Sequence, residues 1–221
     1  SSERIQRELD EIEHRGQLRI LRITDSNTKG LTGDEWEQQT NFKSLCRDIL
    51  TRPETGDGQG GGASGLGKAV LWAYSGVATV IFFSELSVPE TDGSRRLFGR
   101  SNLASHYTAD NRKWAGQGYF GERAIPPHSP EPTAVSVWEP PGDVLESLLV
   151  SRDESPGSGT SILIFDFDEP DHAHDRDLVE VAGDLRRSVV KWFWPSLVEG
   201  SLIVDVRVFV GDQIRFDEQI D

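Results

Sequence analysis

Seven of the twelve residues from 56 to 67 are glycine. Such a stretch has few side chains to bury, and ordering glycine costs more backbone entropy than ordering any other residue. It reads as a mobile loop, through which neither a helix nor a core strand runs. The fold must therefore be built from what flanks it. Upstream, residues 2–14 are helical by pattern, with Ser2 able to cap and Ile5, Leu9 and Ile12 at i, i+4 and i+7. Gly16 ends that helix, and residues 18–24 (LRILRIT) alternate as a strand with one apolar face. Downstream, residues 68–74 read as a short helix and residues 78–84 as a buried strand.

The remaining chain is less regular. Residues 36–50 have a helical pattern stopped by Pro53, and residues 89–132 read as irregular, with many Gly, Pro, Asn and His. Residues 134–138 form a short strand by pattern, 143–149 a short helix, 151–159 a charged turn and 161–167 (SILIFDF) another strand. Residues 175–191 place Leu178, Val181, Ala182, Leu185 and Val189 on one helical face, and residues 202–210 close with a strand. Without a βαβ rhythm this mixture points to α+β. The expected architecture is a two-layer sandwich, a mixed sheet with helices on one face.

Composition bounds the function classes. With 36% hydrophobic and 27% charged residues a core is affordable and global disorder is excluded. No apolar run approaches the ~20 residues that span a bilayer, so no membrane is expected. Lys and Arg number 23 against 37 Asp and Glu, a net charge of −14. Strong direct binding of nucleic acid needs clustered cations and is not expected. The single cysteine, Cys46, excludes an internal disulfide framework and suits a reducing, cytoplasmic setting. A chain beginning Ser1-Ser2 and lacking Met reads as part of a longer protein.

The most specific segment is Gly62-Ala-Ser-Gly-Leu-Gly67-Lys68-Ala69. It nearly fits the phosphate-binding loop G-x-x-x-x-G-K-[ST], in which the last hydroxyl holds Mg²⁺. Ala69 has no hydroxyl, and GDGQGGG stands where a strand should lead in, so a degenerate loop of that kind is the weaker reading. A second reading keeps the phosphate chemistry. Glycines before an apolar helix and a β run (ATVIFFS), together with Asp25-Ser-Asn-Thr-Lys-Gly30 after a strand and Gly159-Thr160 before one, follow the order of three motifs. In that order they resemble the ATPase superfamily of DNA gyrase, the ninety-kilodalton heat-shock chaperone, histidine kinases and MutL (GHKL).

The resemblance covers residues 18–167 and implies a Bergerat-type ATP-binding fold over residues 1–170, with 171–221 an extension or the start of a following domain. It implies that Asp25 accepts a hydrogen bond from the adenine amino group and that Gly30 lets the base lie against backbone. It implies that the Thr160 hydroxyl supports the carboxylate or its water. It further implies a lid whose backbone at Gly62, Ser64, Gly65, Leu66 and Gly67, with Lys68, meets the phosphates of ATP. The first motif is longer than the family's D-x-G-x-G, and Asn27 sits where a glycine is common; Asn tolerates left-handed backbone well.

The family's catalytic helix carries Glu and, four residues on, an Asn that binds Mg²⁺. Here Glu3, Glu8 and Glu11 are followed at that spacing by Arg7, Ile12 and Arg15, so no catalytic or metal residue is assigned. The helix reads as a solvated connector, and Mg²⁺ and slow ATP hydrolysis are expected only of an intact parent. Lid closure would switch that parent between conformations in DNA transactions or defence, and can pair two copies through the lid. A non-catalytic interaction module keeping the fold is the alternative. His172, His174, Asp171 and Asp175 have metal-ligand types but read better as an acidic loop opening a helix. Trp192 and Trp194 read as buried against the sheet, and Cys46 as a buried, inert thiol.

Overall fold

The computed structural model describes residues 2–48, 67–127, 130–152, 157–169 and 176–221. The chain divides into two compact units, Ser1–Pro170 and Asp171–Asp221. In the first, helix α1 (Ser2–Arg15) precedes strand β1 (Ile20–Thr24), a π-helical turn (Lys43–Arg47) and a short helix α2 (Ala69–Ala73). Two long strands follow, β2 (Thr79–Glu90) and β3 (Gly93–Asn102). Short strands β4 (His106–Tyr107), β5 (Lys113–Trp114), β6 (Gln117–Phe120), β7 (Glu122–Ala124), β8 (Thr133–Val135) and β9 (Val137–Trp138) come next. Helix α3 (Gly142–Ser147) and strand β10 (Gly159–Phe165) complete the unit.

The main sheet has six strands in the order β1-β10-β2-β3-β6, with β9 also on β3. The class is α+β, but every pairing in this sheet is antiparallel where a mixed sheet was expected. The reason is local: β2 and β3 are joined by a tight hairpin, which can connect only antiparallel neighbours. The run Val80–Phe83 is apolar on both faces of the strand. Val80 and Phe82 pack with Leu31, Phe42, Cys46, Trp72 and Phe98, while Ile81 and Phe83 pack with Leu97, Leu145, Val150 and Leu163. The π-helical turn and α2 thus meet one face and α3 the other.

Three local expectations give way. The helix expected over 36–50 appears only as the five-residue π turn among the described residues. Asp34 Oδ1 accepts from the Trp36 and Glu37 N–H groups at 2.6 and 3.0 Å, and Thr40 Oγ1 donates to Asp34 O. These side-chain bonds offer the backbone an alternative to a helix, and Gln39 is left-handed at φ 66. Residues 89–132, expected to be irregular, hold β3 to β7. Nor is α1 a free connector: Glu8 is buried and Arg15 Nη2 pairs with the buried Asp166 Oδ1 at 3.0 Å.

The second unit is helix α4 (Leu178–Val198) on a hairpin of β11 (Val204–Val210) and β12 (Gln213–Ile220). Asp177 caps the helix by accepting from Val179 N–H at 2.7 Å. Val181, Ala182 and Leu197 are buried with Val208 and Ile220. Trp192 and Trp194, expected to be buried, are 71% and 59% exposed, because they lie off that buried stripe.

Candidate functional site

A cleft of about 500 Å³ is lined by Asp25, Thr28, Lys29, Gly30, Leu31, Asn41, Ser44, Leu45 and Thr160. It forms where the chain leaves β1. Asp25 prolongs the β1–β10 ladder, its N–H donating to Thr160 O at 3.0 Å. The return bond bypasses the Asp25 backbone: Thr160 N–H donates to Asp25 Oδ1 at 2.6 Å. The other carboxylate oxygen, Oδ2, accepts from Thr28 Oγ1 at 2.5 Å. Asp25 is nevertheless exposed and lines the cleft, so its remaining lone pairs are open to a ligand.

Two glycines make this crossing sterically permissible. A Cβ at Gly159 would lie 2.3 Å from Asp25 O, so no side chain fits where β10 meets the end of β1. Gly30 has φ 74, and its Cβ would lie 2.6 Å from Ser84 Oγ. That approach lets Leu31 N–H donate to Ser84 Oγ at 2.7 Å, which fixes the loop on β2.

The structure thus gathers Asp25, Gly30 and Thr160 onto one cleft. Lys68 is adjacent to it through the main chain, donating from Nζ to the carbonyl of the cleft residue Ser44 at 2.7 Å. Burial lowers the Lys68 ammonium from its ordinary range, while the Asp48 carboxylate acts in the opposite sense. Asn27 is left-handed, at φ 60, but its amide stands beside Gly157 and not on the cleft wall. Gly67 lies in a turn ahead of α2. Gly62, Ser64, Gly65 and Leu66, like His172 and His174, lie outside the described residues.

Thr160 serves Asp25 by its N–H, while its hydroxyl faces Ser84 Oγ at 3.5 Å. The hydroxyl that reaches the carboxylate is that of Thr28, which sequence reasoning missed. The signal was available: a Thr three residues after an Asp in a polar turn is well placed to bond back to it.

Beneath the cleft lies a group of buried cations. Arg96 and Arg100 are both almost fully buried on β3, and Arg47 pairs with Glu35. Arg96 Nη1 donates to Leu31 O and Gly33 O at 3.1 and 2.9 Å, tying the cleft loop to the sheet. Arg100 Nη1 donates to Cys46, Arg47 and Asp48 carbonyls at the end of the π turn. Burial pushes the Cys46 thiol far up, so it is neutral and inert as expected.

Among the described residues no three His, Cys, Asp or Glu side chains are placed to hold a metal ion. Asp25 is the one carboxylate among the described residues that line the cleft, so these residues form no preformed ligand set for Mg²⁺. No helix among the described residues is long and apolar enough to cross a membrane. Set against protein-family models, curated proteins and solved structures, the chain matches none of them.

Proposed function

We propose that the cleft binds the adenine end of ATP, with Asp25 accepting from the exocyclic amine, in a variant of the Bergerat-type fold. The observation that carries this reading is the state of Asp25. Its carboxylate is held on both oxygens, by Thr160 N–H and Thr28 Oγ1, and still lines an open cleft. A carboxylate oriented in advance recognises an amine at low entropic cost. Leu31 and Leu45 supply apolar walls for a base, and Lys68 is held at the cleft residue Ser44. The phosphate half of the proposal rests on the sequence of residues 62–68 and on the resemblance to gyrase-like and MutL-like ATPases. Nucleotide-driven switching in DNA transactions or defence, and hydrolysis with Mg²⁺ in a longer parent, are proposed on that resemblance alone.

The test is calorimetric titration of ATP and GTP into the wild type and into Asp25→Asn. The expected result is saturable ATP binding, weaker GTP binding, and a ten- to a hundredfold loss in the variant with an unchanged circular dichroism spectrum. That loss matches the ~1.5–3 kcal/mol of a hydrogen bond to a charged group. Equal ATP affinity in both proteins would remove Asp25 from the site. Absence of any ATP affinity in the wild type would leave an interaction module, a reading that the exposed Trp192, Phe193 and Trp194 on α4 favour.

A further inference from the structure

A second cleft, of about 470 Å³, opens on the other face of β2. Side chains alternate along a strand, so Ser84 meets the loop of the first cleft while Phe83 and Glu85 line the second. Arg152 and Arg95 also line it, with Ser158 at its edge and Leu145 on its apolar wall.

Arg152 is only 5% exposed. A guanidinium carries five N–H donors, and a buried one needs acceptors for them. Among the described residues Arg152 makes two hydrogen bonds, both long: Nη1 to Ser161 Oγ at 3.5 Å and Nη2 to Gly157 O at 3.4 Å. Its Nε–H meets no acceptor among the described residues. The carboxylates whose charge reaches it are Asp25, already held by Thr160 and Thr28, and Glu85. Arg95, at the mouth, pairs with Glu139 at 2.9 Å.

We propose that this second cleft binds a small monocarboxylate with an apolar body, its carboxylate taken by the Arg152 guanidinium and its body by Phe83 and Leu145. A carboxylate matches the planar fork of arginine and supplies the acceptors that Arg152 lacks. Glu85 on the same wall repels a second negative charge, which selects a monoanion over a phosphate dianion. The two clefts share no lining residue among the described residues, so the proposal does not rest on the nucleotide reading.

Isovalerate is the probe, followed by amide chemical shifts of the intact chain in the absence of nucleotide. Expected are saturable shifts at Glu85, Gly157 and Ser158, none of them with the neutral isovaleramide, and weaker binding of inorganic phosphate. Arg152→Gln should lower isovalerate affinity about tenfold or more, as loss of a charge-assisted pair requires. Glu85→Gln should raise it severalfold, and this variant decides the matter if Arg152→Gln does not fold. Shifts that fail to saturate, equal binding of the amide, tighter binding of phosphate, or weaker binding by Glu85→Gln would each overturn the proposal.

Discussion

Two regions of one sheet each bury an arginine, and they equip it differently. On the face under the π turn, Arg96 donates to two carbonyls, to Ser136 Oγ and to Glu35 Oε1, and lies over the Phe42 and Trp138 rings at 3.6 and 4.4 Å. On the other face, Arg152 makes two bonds at the limit of hydrogen-bonding distance and leaves Nε–H without an acceptor among the described residues. Burial alone therefore does not tell what an arginine is for. A saturated guanidinium acts as a structural rivet, whereas an unsaturated one beside a cleft is a binding group waiting for its acceptor.

The sharpest way to break this comparison is Arg96→Met. It removes one member of a buried ion pair and frees the Leu31 and Gly33 carbonyls, so a loss of about 3–5 kcal/mol is expected. Urea unfolding should show a lower midpoint at constant slope, and a loss below about 1 kcal/mol would put Arg96 in the class of Arg152. Gly159→Ala comes next. With a Cβ 2.3 Å from Asp25 O the backbone must move, at a cost of about 1–3 kcal/mol. The same denaturation series measures it, and it separates the steric demand of the crossing from the charge of Arg152 beside it. Arg152→Met should cost less than about 1.5 kcal/mol, because only two long bonds disappear. A loss matching that of Arg96→Met would erase the distinction.

The smallest effect belongs to Glu139, the partner of Arg95 at the mouth of the second cleft. Its carboxyl is lowered to about 2, first by the Ser94 backbone N–H and then, against the opposing cost of burial, by Arg95. A carboxylate depressed in the folded state stabilises above its unfolded pKa and loses that contribution as pH falls toward the folded value. Glu139→Gln should therefore cost less than about 1 kcal/mol at neutral pH, since the pair is half exposed. The gap between the two proteins should close between the ordinary value of 4.5 and about 2. Urea midpoints at neutral pH and at the acid end of that window check this.

The parts of the cleft that could be read from the sequence are those where chemistry and chain geometry coincide. Asp25 and Gly159-Thr160 stand at strand ends, and Gly30 is needed at a positive φ where the loop touches β2. Strand β3 was hidden because Arg96 and Arg100 occupy inward positions on either side of Phe98, which breaks the apolar alternation that marks a strand. Glu35, the partner that makes Arg96 tolerable there, is distant in sequence and carries no local signal. Trp192 and Trp194 misled in the opposite direction, since aromatic content says nothing about which face of a helix the hairpin covers.

The bond from Thr160 N–H to Asp25 Oδ1 spans 135 residues. Among the described residues strand β1 sits at the sheet edge and pairs only with β10, whereas β2 and β3 meet through a local hairpin. Closing so large a loop is slow and entropically costly, so β1 is expected to dock after the β2–β3 hairpin has formed and to be released before that hairpin when the unit opens partially. Hydrogen exchange should find its amides among the least protected of the main sheet. The first cleft then exists only while the edge is docked, and any ligand it holds slows the fraying of that strand by mass action.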